Sequence, residues 1–144
     1  MLLAILESRI VGLEAMIRAD ARHDPWVEAL RTIPGIGLLT AMTLVAEIGD
    51  IERFPTARKL CAWAGLTPSM RNSDRKAHHG HITKDGPAAV RHVLGEAAHA
   101  ARHAEPYRSD FLRIQRRRGT GIALVRTSRR LMTQVFHTLR ALEA

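Results

Sequence analysis

One cysteine, six aromatic residues and no long apolar run are the first things this 144-residue chain does without. A single thiol, Cys61, allows no internal disulfide, which fits a reducing compartment. It lies in the apolar run Leu60-Cys61-Ala62-Trp63, as a small buried hydrophobe rather than a nucleophile or ligand. With so few aromatics the core must be aliphatic, which favours helix packing. No segment approaches the eighteen or so apolar residues of a membrane span, and the start lacks a secretory signal. Membrane function is therefore not expected, and a cytoplasmic location is. The second half is also short of acids. Residues 1–70 hold seven Lys/Arg against eight Asp/Glu, whereas residues 71–144 hold fifteen against six. The whole net charge of +8 thus sits in the second half, the footprint of a nucleic-acid binder.

What is present reads as helices. Leu3, Leu6, Ile10, Leu13 and Ile17 follow a 3-4-3-4 spacing, the seam of a helix that packs on a partner or on the rest of the domain. The seam reaches Met1 without a capping residue, as though the helix continued from a longer protein. Residues 1–23 are accordingly expected to be a helical extension able to form a coiled coil, and 24–144 a domain. Asp24-Pro25 supplies an N-cap and a first-turn proline. A short helix follows to about Ile33, then Pro34-Gly35-Ile36-Gly37, then a helix from Leu38 to Ile48 closed by Gly49. This is the helix-hairpin-helix pattern. Gly35 and Gly37 would let the backbone approach a partner, and the free amides of the second helix would hold a phosphate.

Thr56 is expected to cap a helix over Ala57–Ala64. Further helices are expected over Pro87–Ala104, Tyr107–Arg117 and Ile122–Leu142, the last carrying Arg126, Arg129 and Arg130. The fold class is all-α, a compact bundle of five or six helices preceded by the extension.

Between Gly65 and Arg91 lies the unusual stretch, GLTPSMRNSDRKAHHGHITKDGPAAVR. It is expected to be a long polar loop without a reliable strand, and such loops are usually functional. Ser69 and Ser73 stand among Arg71, Arg75, Lys76, His78, His79, His81 and Lys84, a setting suited to phosphate. Arg71, Arg75, Lys76 and Lys84 are the type of group that stabilises charge on phosphoryl oxygens. The adjacent histidines are poorly arranged to converge on one metal ion, and His99 and His103, though four apart, lack a completing carboxylate. No metal site is expected in this chain.

The ordered blocks IPGIG, AEIGD, KLCAWAGLTPS, NSDRKAHHGHITKDG and VRHVLGEAAHAAR carry a resemblance. Over about Ile33–Leu142 the chain resembles the C-terminal domain of insertion-sequence transposases of the one-ten/one-sixteen/nine-oh-two class, known for bridge-RNA-guided recombination. The resemblance implies that Ser73 is the nucleophile that cuts and rejoins DNA through a phosphoserine link. Ser69, directly after Pro68, lies too early to match. It also implies a separate acidic, ribonuclease-H-like domain holding magnesium, a guide RNA, and a nucleoid-associated protein of a bacterium or archaeon. No part of this sequence resembles that acidic domain, so the isolated chain is expected to be inactive. The family loop commonly reads Ser-Ser-Gly-Gly-Lys, whereas this chain has Asn72-Ser73-Asp74-Arg75-Lys76, with an acid next to the proposed phosphate site. The alternative is a non-catalytic DNA- or RNA-binding module. DNA is the expected partner in both, and the Leu3–Ile17 seam is the expected surface for a homo-oligomer.

Overall fold

The computed structural model describes residues 1–73 and 76–144, and for 70–73 and 76–79 the backbone alone. Among the described residues there are seven α-helices, one 3-10 turn and one two-stranded sheet. Helix α1 is Leu2–Ala21, α2 Pro25–Leu30, α3 Leu38–Ile48 and α4 Ala57–Trp63. The 3-10 turn Ile51–Arg53 lies between α3 and α4. Strands β1 (Pro68–Ser73) and β2 (Lys76–Ile82) follow, then α5 (Ala88–Ala101), α6 (Tyr107–Arg118) and α7 (Thr120–Glu143).

Local chemistry sets these boundaries. The Asp24 carboxylate accepts from the amides of Trp26 (2.9 Å) and Val27 (3.4 Å), and Pro25 begins α2 where no amide is needed. Thr56 Oγ1 accepts from Lys59 N at 3.3 Å and starts α4. Gly49, at φ +65°, stops α3 as expected.

The longest helix, α7, is the common wall of the core and packs on α2, α4, α5, α6 and the 3-10 turn. Its buried side carries Ala123, Leu131, Met132, Val135, Phe136 and Leu139. All but Ala123 meet Leu30, Leu44, Ile51, Leu60, Val90 and Leu94 in one continuous cluster. Burying each large aliphatic side chain there is worth about 1.5–3 kcal/mol. Two hydroxyls are also buried, and both are bonded. Thr127 Oγ1 donates to Ala123 O at 3.0 Å, and Ser128 Oγ donates across to Leu94 O of α5 at 3.3 Å.

The six helices α2–α7 form the expected bundle. The expectation of a strandless loop after Pro68 is corrected. β1 and β2 are antiparallel, with Met70 opposite His79, Arg71 opposite His78, Asn72 opposite Ala77 and Ser73 opposite Lys76, and an irregularity between Pro68 and Met70. Strand formation here leaves no apolar/polar alternation to read, since β1 is Pro-Ser-Met-Arg-Asn-Ser and β2 Lys-Ala-His-His-Gly-His-Ile. Backbone hydrogen bonds between polar strands carry it instead.

α1 contributes little to the core. Ala21 is its buried residue, and Leu3, Leu6, Ile10 and Leu13 of the seam are exposed. No helix of the described residues is long and apolar enough to cross a membrane.

Candidate nucleic-acid interface

The hairpin grows from a tightly fastened base. Gly65 (φ +71°) and Gly86 (φ +89°) bring the two chain segments into contact. A Cβ on Gly65 would meet Asp85 N at 2.8 Å, and one on Gly86 would run into Trp63 O. Both glycines are thus required twice, for left-handed backbone and for want of space. Thr83 N donates to Thr67 O (3.0 Å) and Lys84 N to Gly65 O (3.1 Å). Lys84 itself holds φ +56°, the one non-glycine among the described residues in that region.

Arg91 of α5 completes the joint. Its Nη1 donates to Asp85 O at 3.1 Å, Gly86 O at 3.0 Å and Ala64 O at 3.4 Å, tying α4, the hairpin's exit and α5 together. Nothing in the local sequence around Arg91 signals this role, since its carbonyl partners lie as far as 27 residues away.

From that base the strands lead outward, and among the described residues they pack chiefly on each other. Ser73 is the last residue of β1, about 17 Å along the strand from Pro68 at some 3.3 Å per residue. Ser69 stays near the base. Its hydroxyl lies against Gly80 of the facing strand, where a Cβ would run into it, and the residue is half-buried. His81 and Lys84 are exposed on the return strand and just beyond it. Arg71 and Lys76 lie on β1 and β2; Asp74 and Arg75 lie outside the described residues.

The predicted arginines of α7 divide into two kinds. Arg126 Nε lies 3.1 Å and Arg130 Nη1 3.4 Å from Asp110 Oδ2 of α6, and Arg113 also pairs with Asp110. Arg130 further donates to Pro106 O at 3.2 Å and lies 5.2 Å from the Tyr107 ring centre. Burial pushes the Asp110 carboxyl up, but hydrogen bonds from Arg113 and Arg126, with their charges, outweigh it and hold the group below the usual range. Arg130 therefore joins α6 to α7. Arg129 has no carboxylate partner among the described residues, and its carbonyl faces Cys61 of α4. Cys61 is buried, as expected, and burial pushes its thiol up.

The two glycines of the α2–α3 turn are not equivalent. Gly35 has φ +86°, and a Cβ there would sit 2.9 Å from Ala101 Cβ. It is required for the turn to nest on α5. Gly37 has an ordinary negative φ (−89°), and a Cβ there would meet nothing. The turn touches α5 at Ala97 and Ala101, roughly 9–15 Å along that helix from Arg91 at 1.5 Å per residue. So the structure gathers Arg126, Arg129 and Arg130 on α7. Through α4 it links them to the hairpin base, while the Gly35–Gly37 turn stands apart.

His99 and His103 lie exposed on and just after the C-terminal end of α5, where His103 Nε2 accepts from Arg102 Nε at 3.2 Å. Among the described residues no three His, Cys, Asp or Glu side chains sit together as a metal-binding group.

Comparison with known proteins agrees with the sequence blocks. The model of the transposase IS116/IS110/IS902 family matches residues 27–113. An uncharacterized 43.6 kDa protein of insertion element IS110 from Streptomyces coelicolor is 33% identical over 131 residues, covering 90% of this chain and 32% of that protein. A probable family 20 transposase of Pseudomonas aeruginosa is 36% identical over 98 residues, 68% of this chain and 29% of the relative. A transposase for insertion sequence element IS1111A of Coxiella burnetii is 34% identical over 94 residues, 65% and 26% respectively. The chain thus spans a third or less of the length of these relatives. On the family match and these identities, the chain belongs to the IS116/IS110/IS902 transposase family.

Proposed function

We propose that this chain is the DNA-binding, serine-nucleophile domain of a transposase that cuts and rejoins DNA. The observation that carries the reading is the position of Ser73. It ends a strand whose base is fastened to α4 and α5 and whose far end leaves the helical body. In the proposed step Ser73 Oγ bonds to a DNA phosphorus as the bond from that phosphorus to a sugar oxygen breaks. The serine proton leaves to solvent or a base, and the departing sugar oxygen takes up a proton. Rejoining reverses the exchange with a new sugar hydroxyl. A serine hydroxyl needs activation, and charge on the phosphoryl oxygens needs cations. Arg71, Arg75, Lys76 and Lys84 are the cations nearest in sequence, and His81 follows Gly80 on the return strand.

The magnesium implied for this chemistry does not fit the described residues of this chain, which offer no set of ligands for it. The acidic groups that would hold it would have to come from elsewhere. A guide RNA is proposed as a partner of the complete protein. A homo-oligomer through α1 is proposed because the seam Leu3–Leu6–Ile10–Leu13 is exposed.

The deciding experiment joins this chain to the preceding region of a longer family member and supplies guide RNA, magnesium and target DNA. A protein–DNA adduct that survives denaturing electrophoresis is expected, lost in Ser73→Ala and kept in Ser69→Ala. An adduct that persists in Ser73→Ala would show that the nucleophile lies elsewhere. Salt-sensitive DNA binding with no adduct in any form would favour the non-catalytic module.

A further inference from the structure

Helices α4 and α7 meet where Cys61 Sγ approaches Arg129 O at 3.7 Å and Thr133 Oγ1 at 3.9 Å. Beside this contact opens a cavity of about 320 Å³, lined by Arg58, Cys61, Arg126, Arg129, Arg130 and Thr133. Four arginines lining one small space bring four like charges close together, and a counter-anion relieves the repulsion. Asp110 supplies one negative charge, but it is shared among Arg113, Arg126 and Arg130. Among the described residues no carboxylate lies within ion-pair distance of Arg58 or Arg129.

The other lining groups do not supply the missing charge. Burial raises the Cys61 thiol, so it stays neutral near pH 7. Thr133 Oγ1 is occupied as a donor to Arg129 O at 2.9 Å, which leaves its lone pairs and no charge. The cavity therefore brings four arginines together, and among the described residues its lining holds no carboxylate. Guanidinium forks suit the oxygens of a tetrahedral anion, because two parallel N–H groups reach two oxygens at once.

We propose that this cavity is a phosphate-binding site, with Arg58 of α4 and Arg129 of α7 as its ligands from two helices. Arg126 and Arg130, braced by Asp110, add to its positive field. The inference deepens the nucleic-acid reading above and rests on it for one source of the ligand, an internucleotide phosphate of a bound strand. The other source with the same chemistry is a free diphosphate group. Arg58 lies outside the polar stretch and the α7 arginine row, so its sequence position alone gives no hint of the role.

The test follows the arginine Nε–H resonances of the full chain by nitrogen-15 NMR during titration with inorganic pyrophosphate. Saturable shifts at Arg58 and Arg129 are expected, and Arg58→Gln or Arg129→Gln should each weaken binding at least about fivefold. Arg116→Gln, outside the cavity, should bind as the parent does. Shifts spread evenly over Arg116, Arg117 and Arg118 as well, or unchanged affinity in both cavity variants, would overturn the proposal. An oligonucleotide without terminal phosphates is then added. Displacement of pyrophosphate by it identifies the strand as the source, and the salt slope of its binding should fall by about 1 in Arg129→Gln. If pyrophosphate binds at Arg58 and Arg129 and the oligonucleotide does not compete, the site takes a free phosphate. If no DNA binds anywhere on the chain while pyrophosphate does, the site stands and the nucleic-acid reading fails.

Discussion

Gly65 lies so close to Asp85 that a Cβ on the glycine would stand 2.8 Å from the aspartate's amide nitrogen and closer still to its carbonyl oxygen. With φ at +71° the position rejects a side chain on two grounds. Gly65→Ala is expected to cost about 1–3 kcal/mol and to loosen the hairpin base. Chemical denaturation would measure the cost, and amide exchange at Thr83 and Lys84 would locate it. Unchanged protection at those two amides would argue against the joint.

Gly35 and Gly37 should behave in opposite ways. Gly35→Val should destabilise the fold, because its Cβ meets Ala101 and its φ is positive, so any loss of DNA binding in that variant is uninformative. Gly37→Val should stay folded. If the first amides of α3 contact DNA, Gly37→Val weakens binding; if it binds normally, the α2–α3 hairpin is a structural turn only.

The Asp110 network predicts a pH dependence with a definite sign. A carboxyl whose folded value is lowered contributes stability above its unfolded value of about 3.9, and loses it as pH falls through the folded value. Acid should therefore part α6 from α7 early, and Asp110→Asn should flatten stability against pH between about pH 5 and pH 2. Thermal unfolding across that range checks it; parallel curves for the two proteins would refute the assignment.

DNA binding should be steeply salt-dependent, since fifteen Lys/Arg lie in residues 71–144. Arg129→Gln should reduce the slope with little effect on stability. Arg130→Gln should lower stability as well, because it removes contacts to Asp110, Pro106 and Tyr107. Filter binding over a salt series, with melting curves of both variants, separates the two roles; equal melting losses would contradict the division.

The α1 seam predicts association. Ile10→Glu should shift sedimentation toward the monomer if exposed Leu3, Leu6, Ile10 and Leu13 pair with a second copy. An unchanged sedimentation profile would remove that proposal.

Helix ends were legible wherever a cap wrote them into consecutive residues. Asp24-Pro25, Thr56 and Gly49 each placed a boundary correctly, since capping is decided within three or four positions. The hairpin was not legible. Its register rests on backbone groups, which every residue carries, and Arg71, Asn72 and Ser73 face His78, Ala77 and Lys76 without an apolar pattern. The different duties of Gly35 and Gly37 were hidden too, because Ala97 and Ala101 lie more than sixty residues downstream. So was the pairing of Arg126 with Asp110, sixteen residues away on another helix. The candidate nucleophile is legible only through the family's sequence blocks, whereas Arg91 and Arg58 gain their partners only in the fold.

A hairpin that makes its main contacts with itself has a consequence for how such a protein changes over time. Among the described side chains, none from β1 or β2 joins the cluster around Leu131 and Leu94, so the helical body and the hairpin are joined mainly at the hairpin's base. Gly65, Gly86 and Arg91, at that base, are the positions where the fold itself holds the sequence fixed over time.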